Sequence, residues 1–276
     1  MSLASSLTAA AATTAGLSRL ATDQHVLSRT AGWTRPNFQG RTVTLLEGPA
    51  AVAGLLVGLV ADRQAPAGSR AAVAIAAAVA GAVGMYDDRS KAEQAKGFRG
   101  HFSALANGRV TGGLIKVVGV GLGAVTAAAV LSAGRHRGEW QPGWPTRLAD
   151  TGLDAVLIAA SANLVNLLDL RPGRAVKAAA LLSTAGLASG GAAVLGAAAG
   201  AAPVDLAARG MLGDCGANAL GAAAGATLAG TLPRPPRLVL AGALVWLNLA
   251  SERVSFTAVI QRTGWLRRLD RLGGRP

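Results

Sequence analysis

Long segments that are almost free of charge divide this chain, and they constrain its fold more than any other feature. They cover residues 46–61, 71–86, 110–133, 151–168, 178–202, 216–231 and 238–250. A helix needs about 20 apolar residues to cross a bilayer. Residues 178–202 can form two short crossings around Gly186–Gly191, and the Ala, Ser and Thr-rich segment 2–18 adds another. The sequence predicts an all-α polytopic integral membrane protein with about nine transmembrane helices, in one domain (1–276) that ends in a basic cytoplasmic tail (252–276).

A soluble, Ala-rich helical bundle is the alternative fold. Only 15% of the residues are charged, against about 25% in ordinary soluble domains. The mean hydropathy of +0.39 is modest and keeps the alternative open. However, the uncharged segments lack the polar stripe at helical period that a soluble bundle shows to water, so the sequence favours the membrane protein.

The distribution of Lys and Arg predicts the orientation. With the N-terminus outside and nine spans, most of the 27 Lys and Arg residues fall in the inside loops and the tail. This is the positive-inside asymmetry of multi-pass proteins. It predicts a cell-membrane protein with its polar loops in the cytoplasm, and it leaves Lys116 inside a span.

The net charge of +13 is explained by this topology and by anionic lipid headgroups. No basic stripe is interleaved with aromatic residues, so nucleic acid is not a predicted partner. The single cysteine, Cys215, cannot form an intramolecular disulfide.

Four carboxylates stand where uncharged segments meet polar loops: Asp87, Asp88, Asp169 and Asp214. A charge inside the hydrocarbon costs at least ~2.5 to 3.5 kcal/mol on insertion scales. Four acids at segment ends therefore predict a shared polar site around a cation. Asp154 lies inside a span near its outer end, and we expect its side chain to reach toward the surface.

The first loop begins with Asp87 and Asp88 and continues with Lys91, Arg99 and His101. If the helix continues past residue 86, Asp87 and Lys91 lie four residues apart on one face. Carboxylate oxygens suit Mg²⁺, which takes one or two of them and leaves its other positions to water and phosphate. The structural alternative is a solvated helix end with an ordinary ion pair.

The second loop follows Asn163, Asn166 and Asp169, which are spaced by three residues on one broad helix face. Their amides and carboxylate can bind a base or sugar. Equally, an Asn in a membrane helix can simply hydrogen-bond a neighbouring helix.

The third loop contains Gly213, Asp214 and Gly216 at a predicted helix start. Asp214 can cap that helix, bind a metal, or do both. The glycines would let backbone N–H groups approach a phosphate closely.

These three motifs resemble those of the polyprenyl-phosphate N-acetylhexosamine-1-phosphate transferase superfamily, which includes phospho-N-acetylmuramoyl-pentapeptide transferase and bacterial GlcNAc-1-phosphate transferases. The resemblance covers most of the chain. The family's Asp-Asp-x-x-Lys, Asn-x-x-Asn-Leu-x-Asp and Gly-Asp-x-Gly motifs fall in order on Asp87, Asp88 and Lys91; on Asn163, Asn166, Leu167 and Asp169; and on Gly213, Asp214 and Gly216.

The resemblance implies Mg²⁺-dependent transfer of a sugar-1-phosphate from a UDP-sugar to polyprenyl phosphate in cell-envelope glycan synthesis, with Mn²⁺ as an alternative metal and a homodimer as the assembly. It implies catalytic roles for Asp87, Asp88 and Lys91, and metal ligands in Asp88 and Asp214, with Asp87 acting on the lipid phosphate. The implied substrate-binding residues are Asn163, Asn166, Asp169, Gly213, Gly216, Arg99 and His101.

The chain also departs from the family pattern. Pro172 stands where the family's second loop has another acid, and Ala217 where it has Ser. The His-rich loop typical of the muramoyl-pentapeptide enzymes is missing, which argues against that substrate. A catalytically silent relative that binds polyprenyl phosphate or an envelope-synthesis partner is therefore an alternative. A transporter is less favoured, because its charges would lie near the bilayer midplane.

Overall fold

The structure is a computed structural model that describes residues 2–90, 111–135 and 143–273. About 80% of it is helical, which confirms the predicted all-α class. The helices are α1 (Leu3–Ala21), α2 (Gln24–Arg29), α3 (Glu47–Ala61), α4 (Ala67–Arg89), α5 (Gly112–Arg135), α6 (Trp144–Leu168), α7 (Arg174–Thr184), α8 (Gly191–Asp205), α9 (Gly213–Thr231), α10 (Arg234–Ser251), α11 (Phe256–Arg262) and α12 (Gly264–Arg271).

A small antiparallel hairpin, which the sequence did not predict, joins α2 to α3. Its strands are β1 (Thr34–Pro36) and β2 (Thr42–Thr44), with Arg35 opposite Val43. The backbone carbonyl of Thr44 accepts the N–H of Met211 at 3.0 Å, which ties the hairpin to the segment before α9. This contact fixes the hairpin beside the start of that helix.

Helix α9 is the centre of the bundle. Almost all of its residues are buried, and most of them are Ala or Gly. A Cβ atom on Gly221 would lie 2.6 Å from the carbonyl oxygen of Ser161, and one on Gly225 would lie 2.8 Å from the Cα of Ile158. Small residues allow this close approach of helix backbones, as they do in membrane bundles.

The prediction that residues 178–202 belong to two helices is confirmed. Helix α7 ends at Thr184, and α8 begins at Gly191 after a 3₁₀ turn over Leu187–Ser189. Gly190 has a φ of 98°, a conformation that glycine adopts without steric cost. A Cβ on Gly191 would also meet the backbone of the preceding turn.

Three helices are long and apolar enough to cross a membrane: α4, α5 and α6. A fourth span is present if α10 and α11 are counted together, although these two are bent by 101°. Helices α3 and α8 are apolar but shorter. The described residues therefore show three or four helices of spanning length and composition, and the nine predicted from sequence are not shown.

The outer face of α5 carries large apolar side chains that no other part of the described chain covers. Val118, Leu122 and Val125 are each more than half exposed. Soluble monomers rarely expose contiguous apolar patches of this kind, whereas lipid-facing helices do. This surface favours the membrane protein over the soluble bundle.

At the end of the bundle away from Asp87 and Asp88, a buried charge network joins α5, α6 and α10. Asp154 is fully buried; its carboxylate is paired with the Arg237 guanidinium and accepts from Arg135 at 3.0 Å. Arg135 also donates to the carbonyl of Ala229 at 2.9 Å. The expectation that Asp154 reaches toward the surface is wrong, because two cations satisfy it inside the bundle.

We expect Asp154→Asn to lower the free energy of unfolding by about 3 to 5 kcal/mol, because it leaves the buried guanidinium of Arg237 and the partly exposed guanidinium of Arg135 without their carboxylate. Thermal unfolding of the purified protein in detergent measures this. Asp150→Asn is the matched control, since Asp150 contacts Arg234 and Arg237 only at 3.3 and 3.8 Å. Equal losses in both variants would contradict the central role given to Asp154.

Candidate functional site

The carboxylate of Asp88 connects the end of α4 to the start of α9. One oxygen accepts the backbone N–H of Asp214 at 3.0 Å, and the other accepts that of Cys215 at 2.9 Å. The first N–H groups of a helix have no partner within it, and the helix dipole makes this end positive. Asp88 is therefore the cap of α9, with the Arg35 guanidinium 3.8 Å away.

Two glycines allow this contact. Gly213 has a φ of 61°, and a Cβ there would lie 2.8 Å from a carboxylate oxygen of Asp88. A Cβ on Gly84 would collide with the backbone of Asp214. Gly216, which the sequence predicts to approach a phosphate, packs against Gly48 of α3. The glycines of the third motif thus have a packing role, and their predicted substrate contacts stay predictions.

Asp87, Asp214 and Lys116 form a charged centre beside this cap. The Lys116 ammonium lies 2.6 Å from Asp214 and 3.5 Å from Asp87. Each of the three side chains keeps about a fifth of its surface exposed. Three helices, α4, α5 and α9, therefore bring two carboxylates to one cation at a point that solvent reaches.

The donor set at this centre fits Mg²⁺, which binds through one or two carboxylates and completes its shell with water and phosphate oxygens. Asp87 and Asp214 already converge on one cationic atom. Within the described residues, no three Asp, Glu, His or Cys side chains are arranged to enclose a metal by themselves. Lys91, Arg99 and His101, predicted for the same site, lie outside the described residues.

An apolar pocket of about 320 Å³ lies between α5, α6 and α10, with Lys116 among its lining residues. Asn163 lies in its wall and donates to the side-chain oxygen of Asn248 at 2.6 Å. Asn248 in turn donates to the carbonyls of Ala160 and Leu244. Asn163 thus makes the helix-to-helix hydrogen bond that the sequence left as an alternative, while it also faces the pocket.

A second pocket, also about 320 Å³, lies between the hairpin and the loop after α6. Arg171 stacks over the Phe38 ring at 4.3 Å, and Asp169 and Asp205 lie among the lining residues. Asn166 is half-buried in the last turn of α6. Pro172, the residue that replaces an acid in the family pattern, lines the same pocket.

Asp169 is buried, and one of its carboxylate oxygens has no hydrogen-bond partner among the described residues. Burial, with the nearby charges of Asp205 and Asp214, raises the pKa of Asp169 well above its usual range. Its neighbour Glu47 is also fully buried, and both of its oxygens lack a described partner. This end of the bundle therefore buries carboxyl groups whose oxygens the described residues pair only in part.

Sequence reasoning missed three charged residues here: Lys116, Glu47 and Asp205. Lys116 was recognised as a charge within a span but received no role. Glu47 and Asp205 flank uncharged segments, as the four selected aspartates do, so the same criterion could have found them. Asp205 accepts the backbone N–H of Gly173 at 2.7 Å and thereby holds the loop that contains Pro172.

No protein-family model matches this chain, and no curated protein matches it. The resemblance to the phosphosugar transferases therefore rests on the three motifs alone.

We expect Asp88→Asn to lower the free energy of unfolding by about 1 to 3 kcal/mol, because an amide group would face a backbone N–H donor at the start of α9. Chemical or thermal unfolding in detergent measures the loss. Asp87→Asn, one residue earlier and in contact with Lys116, is the matched control and should cost less. A larger loss for Asp87→Asn would contradict the capping role of Asp88.

We expect Asp169→Asn to stabilise the protein at neutral and alkaline pH. Because the folded state raises the pKa of Asp169, the acid form favours folding below the unfolded pKa of about 3.9, and this stability is lost as the pH rises through the folded pKa. The variant removes the buried charge, so its advantage over the natural chain should grow as the pH increases. A variant that is less stable at pH 8 would contradict this.

Proposed function

We propose that this protein is a multi-pass membrane enzyme that transfers a sugar-1-phosphate from a UDP-sugar to polyprenyl phosphate and releases UMP. One observation carries the proposal: Asp87, Asp214 and Lys116 come from three helices to one point at the end of the bundle. Carboxylates and an ammonium together are what a reaction between two phosphates needs, because the reactants repel each other.

The two pockets support separate substrates on either side of this centre. The apolar pocket lies between α5, α6 and α10 and has Lys116 in its wall, so a membrane lipid would enter it with its phosphate toward the ammonium. The pocket at Phe38 and Arg171 has an aromatic ring, guanidinium groups and carboxylates. Such groups suit a nucleotide, through stacking on the base and hydrogen bonds to hydroxyls.

In the proposed reaction, an oxygen of the lipid phosphate forms a bond to the β-phosphorus of the UDP-sugar, and the bond from that phosphorus to UMP breaks. Asp87 and Asp214 would hold Mg²⁺, which when bound supplies neutralising charge to the pyrophosphate. Lys116 would hold the lipid phosphate in place. Asp88 is a positioning residue in this scheme, since both of its oxygens accept backbone N–H groups.

The nine-span topology with a cytoplasmic site is part of this proposal, and the arrangement of helix ends supports its multi-pass character. Helices α4, α6 and α8 end near the charged centre, whereas α5, α7 and α9 begin there, as the contacts of Lys116, Asp205 and Asp88 indicate. Alternation of this kind is what successive crossings produce. The excess of Lys and Arg in the loops at this end favours the cytoplasmic side.

The decisive experiment measures UMP release from UDP-GlcNAc and from UDP-MurNAc-pentapeptide by the purified protein with polyprenyl phosphate and Mg²⁺. We expect turnover with one donor, its loss in EDTA, and a fall of at least about 100-fold in Asp87→Asn, Asp214→Asn and Lys116→Met. Asp62→Asn is the control, since Asp62 is a buried acid that accepts backbone N–H groups of Gln64 and Ala65 after α3.

A binding protein without catalysis is the second candidate, favoured by Pro172 at the position of the family's second acid. It predicts no UMP release from either donor by a folded protein that still binds polyprenyl phosphate. Equal activity in the Asp62 control and in the three site variants would instead show that the charged centre is not the site of transfer.

A further inference from the structure

The last helix, α12, has an apolar face that the described chain leaves uncovered. Trp265, Leu269 and Leu272, the residue at the C-terminal cap, lie on one side of it at a spacing of four and three residues. Their exposed fractions are 64%, 48% and 60%. Side chains at this spacing share a helix face. A large aromatic residue with two leucines on the outside of a protein marks a surface that contacts something apolar.

The rest of α12 is strongly basic. Arg267 and Arg271 lie opposite the apolar face and Arg268 borders it. All three are exposed, and Asp270 is the only acid of the helix. Helices that lie in the headgroup region of a bilayer combine such a basic face with an apolar face that contains Trp and Leu. Arginines on that polar face match the negative charge of anionic phospholipids.

The chain turns away from the candidate span before it reaches α12. The bend of 101° between α10 and α11 turns the chain almost perpendicular to the candidate span. If α10 crosses the bilayer, α11 runs along its surface, and only Thr263 separates α11 from α12.

Contacts to α7 hold α12 against the bundle. The guanidinium of Arg174 donates to both carboxylate oxygens of Asp270, at 2.7 and 2.8 Å, and to the Thr257 hydroxyl at 2.9 Å. Lys177 donates to the backbone carbonyls of Leu269 and Asp270. Arg174 directly follows the loop that lines the pocket at Phe38 and Arg171, so α12 is attached to the end of the bundle that contains the charged centre.

We propose that α12 is an interfacial helix whose occupant is the anionic lipid surface on the cytoplasmic side of the membrane. Trp265, Leu269 and Leu272 enter the acyl boundary, and the three arginines contact phospholipid headgroups. A helix this short binds a bilayer weakly when it is free, but the Arg174–Asp270 pair holds it in place before lipid binds, which reduces the ordering cost. The proposal rests on the membrane placement in the proposed function and not on catalysis.

Site-directed spin labelling of the full chain in lipid nanodiscs tests this. Cys215 is the only cysteine, so Cys215→Ala gives a background in which Leu269→Cys and Arg267→Cys can each be labelled. We expect the label at 269 to collide more often with oxygen than with a water-soluble nickel chelate, and the label at 267 to show the reverse. Equal exposure of both positions to the nickel chelate would overturn the proposal.

The lipid composition identifies the ligand. The immersion of the label at 269 should increase when phosphatidylglycerol replaces part of the phosphatidylcholine. Combined Arg267→Glu, Arg268→Glu and Arg271→Glu should abolish the increase. If the label at 269 were hidden from both collision reagents, protein would cover this face and the lipid assignment would be wrong. An immersion that is independent of phosphatidylglycerol would remove the headgroup part of the proposal.

Trp246→Cys separates the two proposals. Trp246 is 66% exposed on the outer face of α10, so a label there should be immersed whenever that helix crosses the bilayer. Immersion at 246 without immersion at 269 would reject the interfacial helix and leave the transferase proposal intact. If both labels were immersed but the protein released no UMP from either donor, the interfacial helix would stand and the transferase proposal would be rejected.

Discussion

The two hydrogen bonds from the first turn of α9 to Asp88 determine the geometry of this end of the bundle. They attach the central helix to the end of α4, and they place Asp214 beside Asp87, where Lys116 contacts both. Because Asp88 is inaccessible once α9 is in place, its charge is compensated by the helix terminus and by Arg35. Of the two adjacent acids, Asp88 thus has a structural role, while Asp87 remains partly accessible to solvent.

Charge is used differently at the two ends of the molecule. At the end with Asp154, a buried acid pairs with two arginines, an arrangement that locks three helices together. At the other end, Glu47, Asp169 and Asp205 are brought together although the described residues supply few cations for them. Unfavourable charge of this kind lowers stability and is retained where a ligand or a reaction uses it.

Local chain properties made part of this arrangement predictable. The acids at segment ends indicated one shared polar region, and the glycines at 186–191 marked the boundary between α7 and α8. Spacing along the chain specifies a helix face but not the neighbour that the face meets. For this reason the sequence did not assign Lys116 to Asp214, Asn163 to Asn248, or Asp88 to the cap. The hairpin that carries Arg35 and Phe38 depends on a tertiary contact with Met211, which no local pattern indicates.

The close packing of Gly84 against the backbone of Asp214 limits which substitutions this site can accept in evolution. A single methyl group at position 84 would push α9 away from α4 and separate Asp214 from Asp87, although it alters no charge and no polar atom. The size of the side chain at position 84 is therefore more strictly limited than the identity of the polar residues around it. Relatives of this protein can be expected to vary the residues that meet substrate while position 84 stays without a side chain.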